Sequence, residues 1–217
     1  MKTLLIVGAG PGISQSTALR FAKEGFRILL ASRNENSVSK LIQQLQQDGV
    51  ESAFYPVDAA NIEQVNSLFD KLVAQYGSLD VVHYNAAVLR NASIEQQSAE
   101  SFLNDLNVNI AGALVTVKKV FEQMKQHGAG KIFLTGGGFA LQPHPDYLSL
   151  SIGKAGIRAM AQALFEPFKA ENVHLASVTV ATFIAPGSDE ATAVAEQFWE
   201  LYQQPKESWQ SEIIYPQ

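Results

Sequence analysis

Short apolar blocks alternate with longer amphipathic stretches along all 217 residues. Residues 3–7, Thr-Leu-Leu-Ile-Val, have no charged or amide break, which predicts a strand buried on both faces. Similar blocks at 26–31, 52–57, 79–83, 131–135 and 173–181 predict five more strands, and 212–215 a seventh. Between them the period becomes helical. A helix is expected over 16–22, stopped by Gly25. Helices over 36–48 and 62–76 carry Val38, Leu41, Ile42, Leu45 and Val65, Leu68, Phe69, Leu72 on their inner faces. Longer ones are expected over 99–126 and 148–169, and another over 191–203. This alternation predicts one parallel, doubly wound sheet with right-handed crossovers and helices on both faces, as a single domain over 1–217. No linker, repeat or low-complexity tract interrupts it.

The first strand runs into Gly8-Ala9-Gly10-Pro11-Gly12-Ile13-Ser14 and then a helix. Glycines permit a tight turn and let backbone N–H groups approach a pyrophosphate, while the helix N-terminus adds about half a positive charge. This predicts a Rossmann-type α/β fold with a dinucleotide held at Gly8, Gly10, Pro11, Gly12 and Ile13. In such sheets ligands bind beyond the carboxyl ends of the strands. The second strand ends at Ser32-Arg33-Asn34 with no carboxylate. An Arg there suits a 2′-phosphate, so the sequence favours NADP(H) over NAD(H). The fourth strand ends at Tyr84-Asn85-Ala86-Ala87, whose small residues would let a flat ring lie against the backbone. Asn107, Asn109 and Gly112 are poor residues for the interior of the helix expected there. Such local conflicts mark functional sites or close contacts.

Composition narrows the partners. The chain is 47% hydrophobic with a formal net charge of −5 and no long basic run, so nucleic acid is not an expected partner. It has no cysteine, which excludes disulfides and thiolate metal sites and fits a reducing, cytoplasmic compartment. No stretch approaches the ~20 apolar residues of a membrane span. His83, His127, His144 and His174 lack metal-ligand spacing, so no metal is expected.

With these residues in place, the chain resembles the short-chain dehydrogenases/reductases over nearly its whole length. The family's Thr-Gly-x-x-x-Gly-x-Gly is similar to Val7-Gly8-Ala9-Gly10-Pro11-Gly12-Ile13-Ser14, with the first Thr and last Gly replaced. Its Asn-Ala-Gly matches Asn85-Ala86-Ala87, and its adenine-contacting Asp matches Asp58. Its catalytic Asn matches Asn109 in Val-Asn-x-x-Gly, and its active-site Lys matches Lys154. The resemblance implies that Lys154 also holds the cofactor ribose, and that hydride moves between a nicotinamide and a carbonyl or alcohol.

Two departures bear on that chemistry. The family's Tyr, four residues before the Lys, is Leu150, and its Ser is Gly137. Leu150 has no proton to give and Gly137 no hydroxyl to orient an oxygen. Tyr147, seven residues before Lys154, is the one nearby phenol. It would share the lysine's face if the helix began one turn early, and could reach it through a water or a substrate oxygen. The catalytic set to examine is therefore Asn109, Lys154 and Tyr147. Three functions remain open: an NADP-dependent oxidoreductase with a displaced proton donor, a catalytically inactive NADP-binding sensor or subunit partner, and a structural or interaction protein that has kept the fold but not the ligand. In each case the small residues Ala155, Gly156, Ala159 and Ala163 suit close packing between subunits, so a homodimer or homotetramer is expected.

Overall fold

The computed structural model describes residues 1–216 and contains seven strands and seven helices among them. The strands are β1 (Thr3–Val7), β2 (Arg27–Ser32), β3 (Ser52–Pro56), β4 (Val81–Tyr84), β5 (Gly130–Thr135), β6 (Val173–Val180) and β7 (Glu212–Tyr215). All pair in parallel in the order β3-β2-β1-β4-β5-β6-β7, with β1 at the reversal of strand order. The helices are α1 (Ile13–Ala22), α2 (Ser39–Gln47), α3 (Ile62–Tyr76), α4 (Ala99–Leu106), α5 (Gly112–His127), α6 (Leu148–Ala170) and α7 (Asp189–Gln203).

The five residues of β1 are all buried and divide between the two faces. Leu5 and Val7 pack with α3, α5 and α6 through Phe69, Val117, Ile157 and their neighbours. Leu4 and Ile6 pack with α1, α2 and α7 through Phe21, Leu45 and Phe198. An uninterrupted apolar strand is what a sheet covered on both faces requires. The aromatic residues near the C-terminus serve this second layer: Trp199 and Tyr202 meet Phe21 and Phe26 edge-on at 5.1–6.3 Å.

Several boundaries differ from the sequence expectation. The first helix starts at Ile13, not residue 16, because Gly12 turns the chain directly into it. The second is preceded by a 3-10 turn at Glu35–Ser37, whose start is capped by the Asn34 side chain. The expected helix over 99–126 is interrupted by a π-helical turn at Asn107–Ala111. There the Tyr84 hydroxyl donates to the Val108 carbonyl at 2.6 Å. A side chain at Gly112 would place its Cβ 2.1 Å from the Ala59 carbonyl oxygen. The unfavourable Asn and Gly residues are thus explained by a π turn pressed against the ends of β3 and β4.

Candidate active site

The carboxyl ends of β1 to β4 open onto a cleft of about 390 Å³. Its walls include Gly8, Gly10, Pro11, Arg33, Asp58, Asn85, Ala86 and Ala87, eight of the residues singled out for a dinucleotide. Gly12 and Ile13 sit beside it as the N-cap and first residue of α1. Gly8 has φ +86°, and a Cβ there would lie 2.2 Å from the Ala86 backbone nitrogen. The turn can therefore pass the end of β4 only as glycine. Gly12 offers no side-chain cap, so the first N–H groups of α1 and its positive end are left for a ligand.

Ser14, where the resemblance expects glycine, braces this turn. Its Oγ accepts from the Gly10 N–H at 2.8 Å and donates to the Gly10 carbonyl at 2.7 Å. Gly10 itself has open space around it. Arg33 is exposed at the rim and makes no ion pair among the described residues. Asp58 is half-buried; its carboxylate accepts from the Ala60 N–H at 3.0 Å, which fixes the chain beyond β3.

Asn85 lies at the centre of a polar chain that the sequence did not reveal. Its Nδ2 donates to the Gly8 carbonyl at 3.0 Å, and its Oδ1 accepts from the Thr135 hydroxyl at 2.8 Å. With that proton committed, Thr135 Oγ1 accepts from His83 Nε2 at 2.8 Å. Burial drops the His83 pKa to about 3, so the ring is neutral at physiological pH. This chain ties the ends of β1, β4 and β5 together. Its members belong to separate strands, and only Asn85 carried a motif.

Lys154 is buried on α6, and its Nζ donates to the Thr135 carbonyl at 2.6 Å. Burial lowers its pKa to about 8. A Cβ at Gly137 would sit 3.1–3.3 Å from the Lys154 side-chain carbons. The lysine stem thus lies against the position where the family carries Ser, and a side chain there would have to displace it. Asn109 is buried in the π turn. Its Oδ1 accepts from the Val88 N–H at 2.7 Å and its Nδ2 donates to the Val88 carbonyl at 3.3 Å, clamping the loop after β4.

Tyr147 does not extend the helix as the spacing allowed. Helix α6 begins at Leu148, and Tyr147 is its N-cap residue. The ring is half-buried, stacks on Phe139 at 5.1 Å and meets His144 edge-on at 5.6 Å. The lysine ammonium is directed to Thr135. Leu150 is buried and cannot take part in proton transfer.

A second network missed by the sequence reading lies beside these residues. The fully buried Asp105 carboxylate accepts from Arg90 Nε at 2.8 Å, Arg90 Nη2 at 3.0 Å, Gln97 Nε2 at 2.8 Å and Ser149 Oγ at 2.9 Å. Burial pushes its pKa up, but these donors outweigh it and hold the carboxyl below its usual range. The network joins the loop after β4 to α4 and the first turn of α6. The Ala92 N–H donates to the Asp146 carbonyl at 2.8 Å, which joins the same loop to the residue before Tyr147. No cluster of metal-ligating side chains occurs among the described residues. No helix among them is long and apolar enough to cross a membrane.

Comparison with known proteins agrees with this architecture. The model of the short chain dehydrogenase family matches residues 2–198. An uncharacterized oxidoreductase of Thermotoga maritima is 27% identical over 178 residues, 82% of this chain and 70% of that one. The crystal structure of a short-chain dehydrogenase from Rhodopseudomonas palustris superposes with a TM-score of 0.90 at 27% identity, covering 100% of this chain and 98% of that one. An alcohol dehydrogenase from Thermococcus sibiricus, complexed with 5-hydroxy-NADP, gives 0.84 at 25% identity over 99% and 95% of the two chains. An NAD+-bound xylitol dehydrogenase gives 0.77 at 26% identity over 84% and 72%. With its seven-stranded parallel sheet and glycine turn, the chain belongs to the short-chain dehydrogenases, a family of NAD(P)-dependent oxidoreductases.

Proposed function

We propose that the protein binds NADP(H) in preference to NAD(H) and moves hydride between it and a carbonyl or alcohol, with Tyr147 in the proton-transfer role. The observation that carries this reading is the glycine turn lining the cleft, with the uncapped N-terminus of α1 beside it, together with Arg33 at the end of β2, which makes no ion pair among the described residues. The first-turn N–H groups at Gly12 and Ile13 would take the pyrophosphate, and Arg33 a 2′-phosphate. Gly8, Gly10 and Pro11 leave room for the backbone approach. Asp58 would meet the adenine, Asn85, Ala86 and Ala87 a ring lying along their backbone, and Lys154 the nicotinamide ribose.

When bound, the dinucleotide supplies or accepts hydride at its nicotinamide ring. Reduction of a carbonyl also needs a proton at the oxygen. Leu150 cannot provide it, and the Tyr147 hydroxyl is the phenol remaining on this side of the site. Asn109 holds the Val88 segment in place, and Lys154, with its pKa near 8, places positive charge beneath the site at neutral pH. Position 137 is glycine, so the orienting hydroxyl of the family has no counterpart there, and the Lys154 stem passes 3.1–3.3 Å from where a Cβ would stand.

Arg33→Ala tests the cofactor half of the reading. The variant should bind NADPH about 10- to 100-fold more weakly, the scale of a lost charge-assisted phosphate contact, while NADH binding changes less than about twofold. Equal loss for both dinucleotides would remove Arg33 from the 2′-phosphate role. The second reading, an NADP-binding sensor without turnover, is favoured by Leu150 and Gly137. It predicts NADPH binding with no oxidation by any aldehyde or ketone.

A homodimer or homotetramer, acting in the cytoplasm, completes the proposal. Leu103 on α4, Leu114 on α5 and Ile152 on α6 are large apolar side chains left exposed. Burial between copies would remove that surface from water. Light scattering at micromolar concentration should give at least twice the 23.6 kDa chain mass. A monomer would contradict this.

A further inference from the structure

Three loops border the space above Lys154: 85–98 after β4, 136–147 after β5 and 181–188 after β6. Their juxtaposition is fixed by the Ala92–Asp146 backbone bond and by two close approaches. A Cβ at Gly138 would lie 2.9 Å from Ala181 Cα, and one at Gly12 would lie 4.0 Å from Pro186 Cα. The segment holding Phe183 therefore runs between the β5 loop and the glycine turn.

These loops carry a concentration of exposed apolar side chains. Phe183 is 84% exposed, Leu89 70% and Ile94 67%, and Leu141 is also exposed. Phe139 and Tyr147 form a stacked aromatic wall beside them. The Ala92–Asp146 bond and the approach of Gly138 to Ala181 bring together the loops that carry these side chains, and large apolar groups on adjoining loops suit a binding surface. The charges of the same loops point the same way. Arg90 is bound in bidentate fashion by Asp105. His144 Nδ1 accepts from the Asp146 N–H at 3.2 Å. Glu95 and Asp146 are acidic, and the loop 181–188 has no charged side chain. Lys154 lies beneath, its ammonium directed to the Thr135 carbonyl. Among the described residues, a substrate carboxylate or phosphate finds no free cation on this rim.

We propose that the carbonyl substrate is neutral and carries an apolar chain or ring, which packs against Leu89, Ile94, Leu141 and Phe183, and that 2-oxo acids are rejected. This assignment rests on reading the site as one for hydride transfer. Its test is a binding titration that needs no turnover. The ketones 2-butanone to 2-decanone, and 2-oxobutanoate, are titrated calorimetrically into the protein with and without NADP+. The ketone Kd should fall about threefold to fourfold for each methylene buried, and 2-oxobutanoate should not bind. Phe183→Ser, at an exposed position that should not disturb folding, should weaken the longest ketones about tenfold and leave NADP+ binding unchanged. A flat series, or an oxo acid that binds as well as the matching ketone, overturns the assignment. So does a Phe183→Ser variant that only dissociates an oligomer, which would assign the patch to a second copy of the chain. If the chain-length series holds but wild-type protein does not bind NADP+, the apolar site stands and the cofactor reading fails.

Discussion

Tyr147→Phe should lower kcat for carbonyl reduction by at least about 100-fold while leaving NADPH affinity within about twofold. Removing a general acid that delivers the proton costs roughly 10²- to 10⁴-fold. An effect of that size is expected because the two positions that carry hydroxyls in the family offer none: Leu150 is buried and apolar, and position 137 is glycine. The ring's place on Phe139 does not depend on its hydroxyl, so the variant keeps its packing. A kcat unchanged by the substitution would take Tyr147 out of the chemistry and leave it a wall residue of the cleft. The substitution is best read together with Lys154→Met. Loss of NADPH affinity in that variant alone would separate ribose binding by the lysine from proton delivery by the phenol.

Gly8→Ala should destabilise the protein by about 3–4 kcal/mol, with strain from the left-handed backbone adding to the displacement of neighbouring main chain. Its φ is +86°, and the new Cβ would meet the Ala86 nitrogen at 2.2 Å and its Cα at 2.4 Å. Backbone cannot swing aside as a flexible side chain can. Thermal unfolding should show Tm lowered by roughly 10 °C for a domain of this size. Gly10→Ala is the control within the same turn. Nothing lies within 4 Å of its added Cβ, so stability should change by less than about 0.5 kcal/mol. It should still weaken dinucleotide binding, because the methyl group enters the space left for the ligand. If both variants were equally destabilised, the division between a glycine needed by the fold and one needed by the ligand would fail.

The sheet was legible because its strands are buried on both faces and lack polar breaks, as β1 shows most clearly. The cleft followed from the same pattern, since Gly8, Arg33, Asp58 and Asn85 all stand at strand ends and all line it. What escaped the sequence was side-chain pairing between distant elements. Arg90, Gln97, Asp105 and Ser149 are ordinary polar residues in a loop and two helices, and nothing in their spacing brings them to one carboxylate. The π turn left a trace in Asn107, Asn109 and Gly112, but only the contact of Gly112 with Ala59 and Tyr84 explains it. Gly137 and Ser14 read as departures from the family pattern. In the fold each has a partner, the Lys154 stem and the Gly10 peptide groups. Helix α6 begins at Leu148 as the pattern predicts, which leaves Tyr147 at its N-cap and not on a helical face shared with Lys154.

We propose that this cleft binds NADP(H). Parallel titration of the purified protein with NADPH and NADH, followed by nicotinamide fluorescence, tests it most directly. Saturable NADPH binding at least about tenfold tighter than NADH is expected, corresponding to about 1.4 kcal/mol or more from the Arg33 contact. Equal affinity for the two would remove the 2′-phosphate assignment, and no binding of either would contradict the claim itself.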